Sequence, residues 1–129
     1  MSGEEHAELI EKTRAVRGYL NPGHEYLAGE DPEFLRTYNA LAGIALKHGE
    51  READGERLEA KYCELIACAI LAYRGVAEES IAGHLRRAMR LGATEAEAVG
   101  AFEATVIPGG APAMLHGMRV LNGMRKGIY

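Results

Sequence analysis

Glu64 heads an unbroken apolar run, LIACAILAY, and His84 follows twenty positions later in SIAGHLRRAMRLGAT, beyond a glycine at Gly75. A carboxylate entering a buried helix must be ion-paired, hydrogen-bonded or held neutral. Each of those states is also a way to make a general acid or base. A histidine on the next helix supplies the second half of a recurring device, an imidazole oriented by a carboxylate. Each residue also has a plainer reading. Lys61, three residues before Glu64, is placed for a weak intrahelical ion pair. A lone histidine on the flank of the Ile81, Leu85, Ala88 stripe is more often structural than functional.

Two further side chains belong with these. Arg87, three residues after His84, suits an anionic substrate or a place on the surface. His116 follows the PGGAP turn and projects away from the Met114, Leu115, Met118, Leu121 face of its helix, towards solvent, a pocket or a subunit contact. His6, His24 and His48 have no metal-ligand spacing with one another or with acidic residues, so no metal is assigned. Gly109 and Gly110, between prolines, read as a helix break and not as a phosphate-binding loop. Cys63 and Cys68, five apart on one helix, diverge too far to bridge. They read as small packing residues and fit a reducing compartment.

The elements that must position these groups read as about six helices. The first runs from Glu4 to Leu20 and stops at Asn21, Pro22 and Gly23, with a short GHEYLAGE piece after it. Asp31 and Pro32 open a second, carrying Phe34, Leu35, Tyr38, Leu41, Ala42 and Ala45 at helical spacing and ending near His48 and Gly49. Glu50 to Glu56 reads as a charged loop. The third, Leu58 to about Arg74, is apolar all round from Leu65 to Tyr73 and so is expected to be covered on every side. Gly75 ends it, and a fourth carries Ile81, Leu85, Ala88 and Met89. Thr94 and Glu97 form a capping box for a fifth, Ala98 to about Ile107. A sixth starts near Pro112, and Gly123 to Tyr129 is expected to fray. No segment alternates as a strand does, so the fold class is all-α.

At 129 residues, 47% hydrophobic and 26% charged, the chain reads as a single domain, 1–129, able to bury a core. A net charge of −4 with scattered basic residues argues against nucleic acid or an anionic membrane as partner. No apolar run reaches the ~18 residues a membrane span needs. The acidic start MSGEEHAELIEK lacks a signal-peptide core, so a cytoplasmic location is expected.

The runs ELIACAILAYRG and IAGHLRRAMRLGATEAEAVGAFEATVIPGGAPAMLHGMRVL, with DPEFLRTYNAL before them, resemble the carboxymuconolactone decarboxylase family, which includes the alkylhydroperoxidase D type proteins. The resemblance rests on Glu64 in the apolar helix, His84 before a Leu-Gly-Ala-Thr helix end, and a Gly-x-Pro-Ala turn followed by His116. It implies an all-α fold assembled as a homo-trimer or homo-hexamer, with sites at or near subunit contacts.

Two branches of that family do different chemistry. The redox branch, peroxidases and disulfide reductases, needs a C-x-x-C just before the histidine, where a glutamate and histidine activate a thiolate. Counting back from His84 puts those positions at Ala77 and Ser80. Counting forward from Gly75 puts them at Val76 and Glu79, and neither register holds a thiol. Cys68 as a substitute nucleophile has no resolving partner. The decarboxylase branch, which serves aromatic-acid catabolism, lacks the cysteines and shares His116. The resemblance therefore implies a cofactor-independent lyase acting on a small carboxylated lactone or oxo-acid. In that reading His84 donates the proton, Glu64 orients or reloads it, and His116 with Arg87 binds the anion. A non-catalytic, oligomeric ligand-binding module is the alternative from another class.

Overall fold

Local signals divide the chain into its helices. A computed structural model describes residues 1–48 and 57–129, and among these it contains eight helices and no strand. Ser2 accepts the Glu5 N–H and opens α1 (Gly3–Arg17), which Gly18 closes in the left-handed conformation. Asn21 then caps α2 (Pro22–Glu30) in a capping box with His24, and Asp31 caps α3 (Pro32–Ala45). The Asn21-Pro22-Gly23 triplet, expected as a stop, is thus the start of a helix, because an N-cap followed by an N1 proline is itself an opening signal. The expected Gly49 stop and the 50–56 loop lie outside the described residues.

The second half holds α4 (Ala60–Arg74), α5 (Glu78–Arg90), α6 (Glu95–Glu103), α7 (Val106–Gly109) and α8 (Ala111–Arg125). Gly75 closes α4 in the left-handed region, and Thr94 and Glu97 make the expected capping box. The expected fifth helix is two, since α6 ends at Glu103 and a single further turn carries Pro108. The chain end does not fray as expected. The Ile128 N–H donates to the Gly123 carbonyl, and the Tyr129 ring packs against Gly123, where a Cβ would come within 2.6 Å of it.

Two groups of helices result. α1, α2 and α3 pack on one another around Leu9, Ala28 and Leu35. α4, α5, α6 and α8 enclose the larger core, which includes Cys68, Ile81, Leu85, Phe102 and Val120. Full burial of one such large side chain stabilises by about 1.5–3 kcal/mol.

α5 also joins the groups. Its Gly83 lies against the end of α1 so closely that an added Cβ would sit 2.7 Å from Tyr19 Cδ1, and Arg86 donates to the Gly18 carbonyl at 3.2 Å. α4 is not covered on every side: Ile66, Ile70 and Tyr73 are 50%, 54% and 63% exposed.

Candidate active site

Glu64 sits on the α4 face turned toward α5, one turn before Cys68, and is 1% exposed. On α5, His84 and Arg87 are three residues apart and so lean to the same side. His84 Nδ1 lies 2.9 Å from Glu64 Oε2. Arg87 Nη1 lies 3.1 Å from Glu64 Oε1, an ion pair, and Oε1 has no hydrogen-bond partner. Lys61 turns instead toward Glu97, 3.9 Å away, so the plainer reading of a Lys61–Glu64 pair gives way to a link between helices.

Arg87 is buried rather than on the surface. Its guanidinium also donates to the carbonyls of Leu46 and Lys47, each at 2.9 Å. Lys47 has φ of 56°, the left-handed region that non-glycine residues rarely adopt, and this bend presents two successive carbonyls to one guanidinium. A buried carboxylate held between a cation and an imidazole can orient that imidazole and stabilise its protonated form. With Nδ1–H donated to Glu64, the other ring nitrogen, Nε2, is the one able to exchange a proton. The His84 side chain is 16% exposed, so solvent reaches it.

His116 is placed elsewhere. Its Nε2 donates to the Val76 carbonyl at 2.6 Å, and its Nδ1 accepts from Arg119 at 2.9 Å. Those bonds tie α8 to the loop between α4 and α5, and no described contact brings His116 to Glu64 or His84. Cys68 is fully buried with its thiol toward the Ile81 carbonyl. Burial, followed by the neighbouring Glu64, pushes that thiol up, away from a thiolate. Among the described residues no cluster of three or more His, Cys, Asp or Glu could hold a metal ion.

The sequence model of the carboxymuconolactone decarboxylase family matches residues 32–123, well over half of the chain. The chain belongs to the carboxymuconolactone decarboxylase family. A solved structure from Burkholderia xenovorans LB400, a protein that bears the name carboxymuconolactone decarboxylase provisionally, superposes with a TM-score of 0.75 over 98% of this chain and 96% of that one. At 23% identity this likeness shows the fold. No curated protein matches the sequence.

Two residues that the sequence did not mark as site candidates carry unpartnered buried atoms, Arg17 ahead of the family match and His48 within it. Arg17 Nε donates to Asn39 Oδ1 at 3.0 Å and its guanidinium lies 4.2 Å over the Tyr38 ring, while Nη2 is buried without a partner. His48 follows the Lys47 bend, and its Nδ1 is likewise buried without a partner. Burial pushes the His48 imidazole down to about 4, and Arg87, nearby, acts in the same direction. Spacing could not have found either residue, because what marks them is an unmade hydrogen bond.

Proposed function

We propose that this family member is a cofactor-independent, acid–base lyase that removes CO₂ from a small carboxylated lactone or oxo-acid. The observation that carries the reading is the 2.9 Å bond between His84 Nδ1 and Glu64 Oε2 at a buried position. In the proposed step the bond between the substrate's carboxylate carbon and its ring or chain carbon breaks. The electron pair flows into the adjoining unsaturated carbonyl system, and CO₂ leaves. Protonated His84 then gives its Nε2 proton to the resulting carbanion and is reloaded from water. Glu64 orients the imidazole through Nδ1, and Arg87 holds Glu64 in place. The apolar surroundings favour neutral CO₂ over the carboxylate.

A thiol-dependent peroxidase reading has little support, since the C-x-x-C positions are empty of cysteine and Cys68 is buried. The open apolar face of α4 supports assembly as a homo-trimer or homo-hexamer, to be measured by light scattering. For the chemistry, a series of small unsaturated lactone acids should be followed by ultraviolet absorbance and CO₂ release in D₂O. The reading expects one CO₂ and one carbon-bound deuterium per turnover. Absence of CO₂ release across the series would leave the family fold without this activity.

A further inference from the structure

Among the described residues, the ring that meets His84 is that of Tyr19, in the segment between α1 and α2. The two ring centroids are 6.3 Å apart and the planes cross edge-on at 63°, within the ~4.5–7 Å over which aromatic rings attract one another. The acid–base pair does not account for this contact, and Tyr19 precedes the residues that the family model matches.

The place of the tyrosine ring is fixed from several sides. Beneath it, Gly83 offers bare backbone, where a Cβ would sit 2.7 Å from Tyr19 Cδ1. The ring therefore rests directly on α5, one residue before His84. Just ahead of it in the chain, Gly18 takes the left-handed conformation with φ of 79°, and its carbonyl accepts from Arg86 at 3.2 Å. A Cβ on Gly18 would in turn come within 3.1 Å of the Gly83 carbonyl oxygen. Beside the Tyr19 ring is His24, 6.0 Å between centroids, a buried residue whose Nδ1 accepts the Asn21 N–H at 3.3 Å. Tyr38 of α3 lies 6.4 Å from His24 and carries the Arg17 guanidinium 4.2 Å over its own ring. A row of rings thus runs from α3 to His84, and its members are held by more than one another.

His84 itself has one tether, Nδ1 to Glu64 Oε2 at 2.9 Å. The last torsion of a histidine is broad and roughly two-fold, so a single bond restrains the imidazole weakly. Turning it over would bring the carbon Cδ2 to the place of Nδ1 and break the bond to Glu64. A fixed ring packed against the imidazole opposes that rotation, and the His84 side chain is 16% exposed. We propose that Tyr19 is a positioning residue, whose ring keeps the His84 imidazole turned with Nδ1–H on Glu64 so that Nε2 remains the proton-exchanging nitrogen. The role belongs to the ring and not to the hydroxyl. Its consequence for turnover rests on the acid–base reading above, whereas the orientation of the imidazole does not.

The test uses the full chain labelled with ¹⁵N-histidine. Two-bond proton–nitrogen correlation at neutral pH reports which nitrogen of each imidazole carries the proton, and His84→Gln assigns the signal. Wild type and the conservative variant Tyr19→Phe are expected to show His84 in the Nδ1–H form. Tyr19→Ala should bring in the Nε2–H form. On a lactone acid that the wild type turns over, it should lower kcat about ten- to hundredfold, the scale on which misplaced groups lose rate, with KM changed less than about threefold. Tyr19→Leu keeps apolar bulk in the seam without the flat ring and serves if Tyr19→Ala does not fold. A tyrosine that merely packs would lower the unfolding midpoint in Tyr19→Ala while the tautomer and kcat stay as in wild type, and that result overturns the proposal. Wild-type His84 in the Nε2–H form, or a Tyr19→Phe protein that behaves like Tyr19→Ala, overturns it as well. A tautomer change in Tyr19→Ala without CO₂ release by the wild type from any lactone acid would retain the role of Tyr19 and remove the lyase reading. CO₂ release with the tautomer and kcat unmoved in Tyr19→Ala would do the reverse.

Discussion

Helix α4 has two faces of opposite character. On one, Glu64, Cys68 and Ala72 stand a turn apart and are buried against α5 and its neighbours, so the helix hides its only carboxylate. On the other, Ile66, Ile70 and Tyr73 are half or more exposed, and the α7 residue Ile107 nearby in sequence to the groove residue Pro108 is 90% exposed. A groove of about 330 Å³ runs along that second face, lined by Ala69, Ile70, Tyr73, Ala101, Ala104, Thr105, Pro108 and Gly109. The usual arrangement, polar outside and apolar inside, is inverted on one helix. A buried carboxylate held by an imidazole and a guanidinium points to chemistry, and an exposed apolar strip points to another surface. The carboxylate is buried and ion-paired within the chain, whereas the apolar strip keeps half or more of each of its large side chains exposed. Covering the exposed half of each of these large side chains would add about 1 kcal/mol.

The sharpest way to break this contrast is to remove the acid. Glu64→Leu leaves the Arg87 charge buried without its carboxylate and should cost about 3–5 kcal/mol in urea unfolding. A loss below about 1 kcal/mol would mean that Glu64 is not part of a coupled buried group. Crowding the seam should cost less. Gly83→Ala puts a methyl against Tyr19 and should cost about 1–3 kcal/mol, with turnover falling alongside as α1 is pushed from α5; a neutral effect on both would show that the seam does not position the site.

On the open face the response should be of another kind. Ile70→Glu should shift the assembly toward monomer in light scattering while changing the stability of the isolated chain by only about 0.5 kcal/mol. An unaltered mass would remove α4 from the subunit contact. A further effect concerns pH. His48 in the folded chain titrates near 4 and in the unfolded chain near 6.5, so between those values the unfolded state binds more protons. Stability should therefore be full above pH 6.5 and decline as the pH falls toward 4. His48→Gln should flatten that window, and an unchanged slope would mean that His48 is not buried in neutral form.

Glu64 was legible in the sequence because a carboxylate at the head of LIACAILAY has few innocuous explanations, and the Thr94–Glu97 box because capping is local. His84 was visible as a candidate, but its partner was not decided by spacing alone. Lys61 is nearer to Glu64 in sequence and yet faces Glu97. Arg87 was ambiguous for the same reason, since helical periodicity says which residues share a face and not which faces meet. The α2 helix was lost because Asn-Pro-Gly ends one helix as plausibly as it begins another. Arg17 and His48 were invisible because a missing hydrogen bond is a property of the packed chain. His116 was singled out by resemblance, and its place at Val76 depends on how α8 docks.

The most direct test of the central claim is turnover by His84→Gln beside its urea unfolding curve. Glutamine can still donate to Glu64 Oε2 but cannot carry a proton to a carbanion, so it separates holding the carboxylate from doing the chemistry. With a turned-over lactone acid in hand, the account predicts a fall in kcat of about 10²–10⁴ and a stability within about 1 kcal/mol of the wild type. Turnover close to wild type in a folded His84→Gln protein would contradict it.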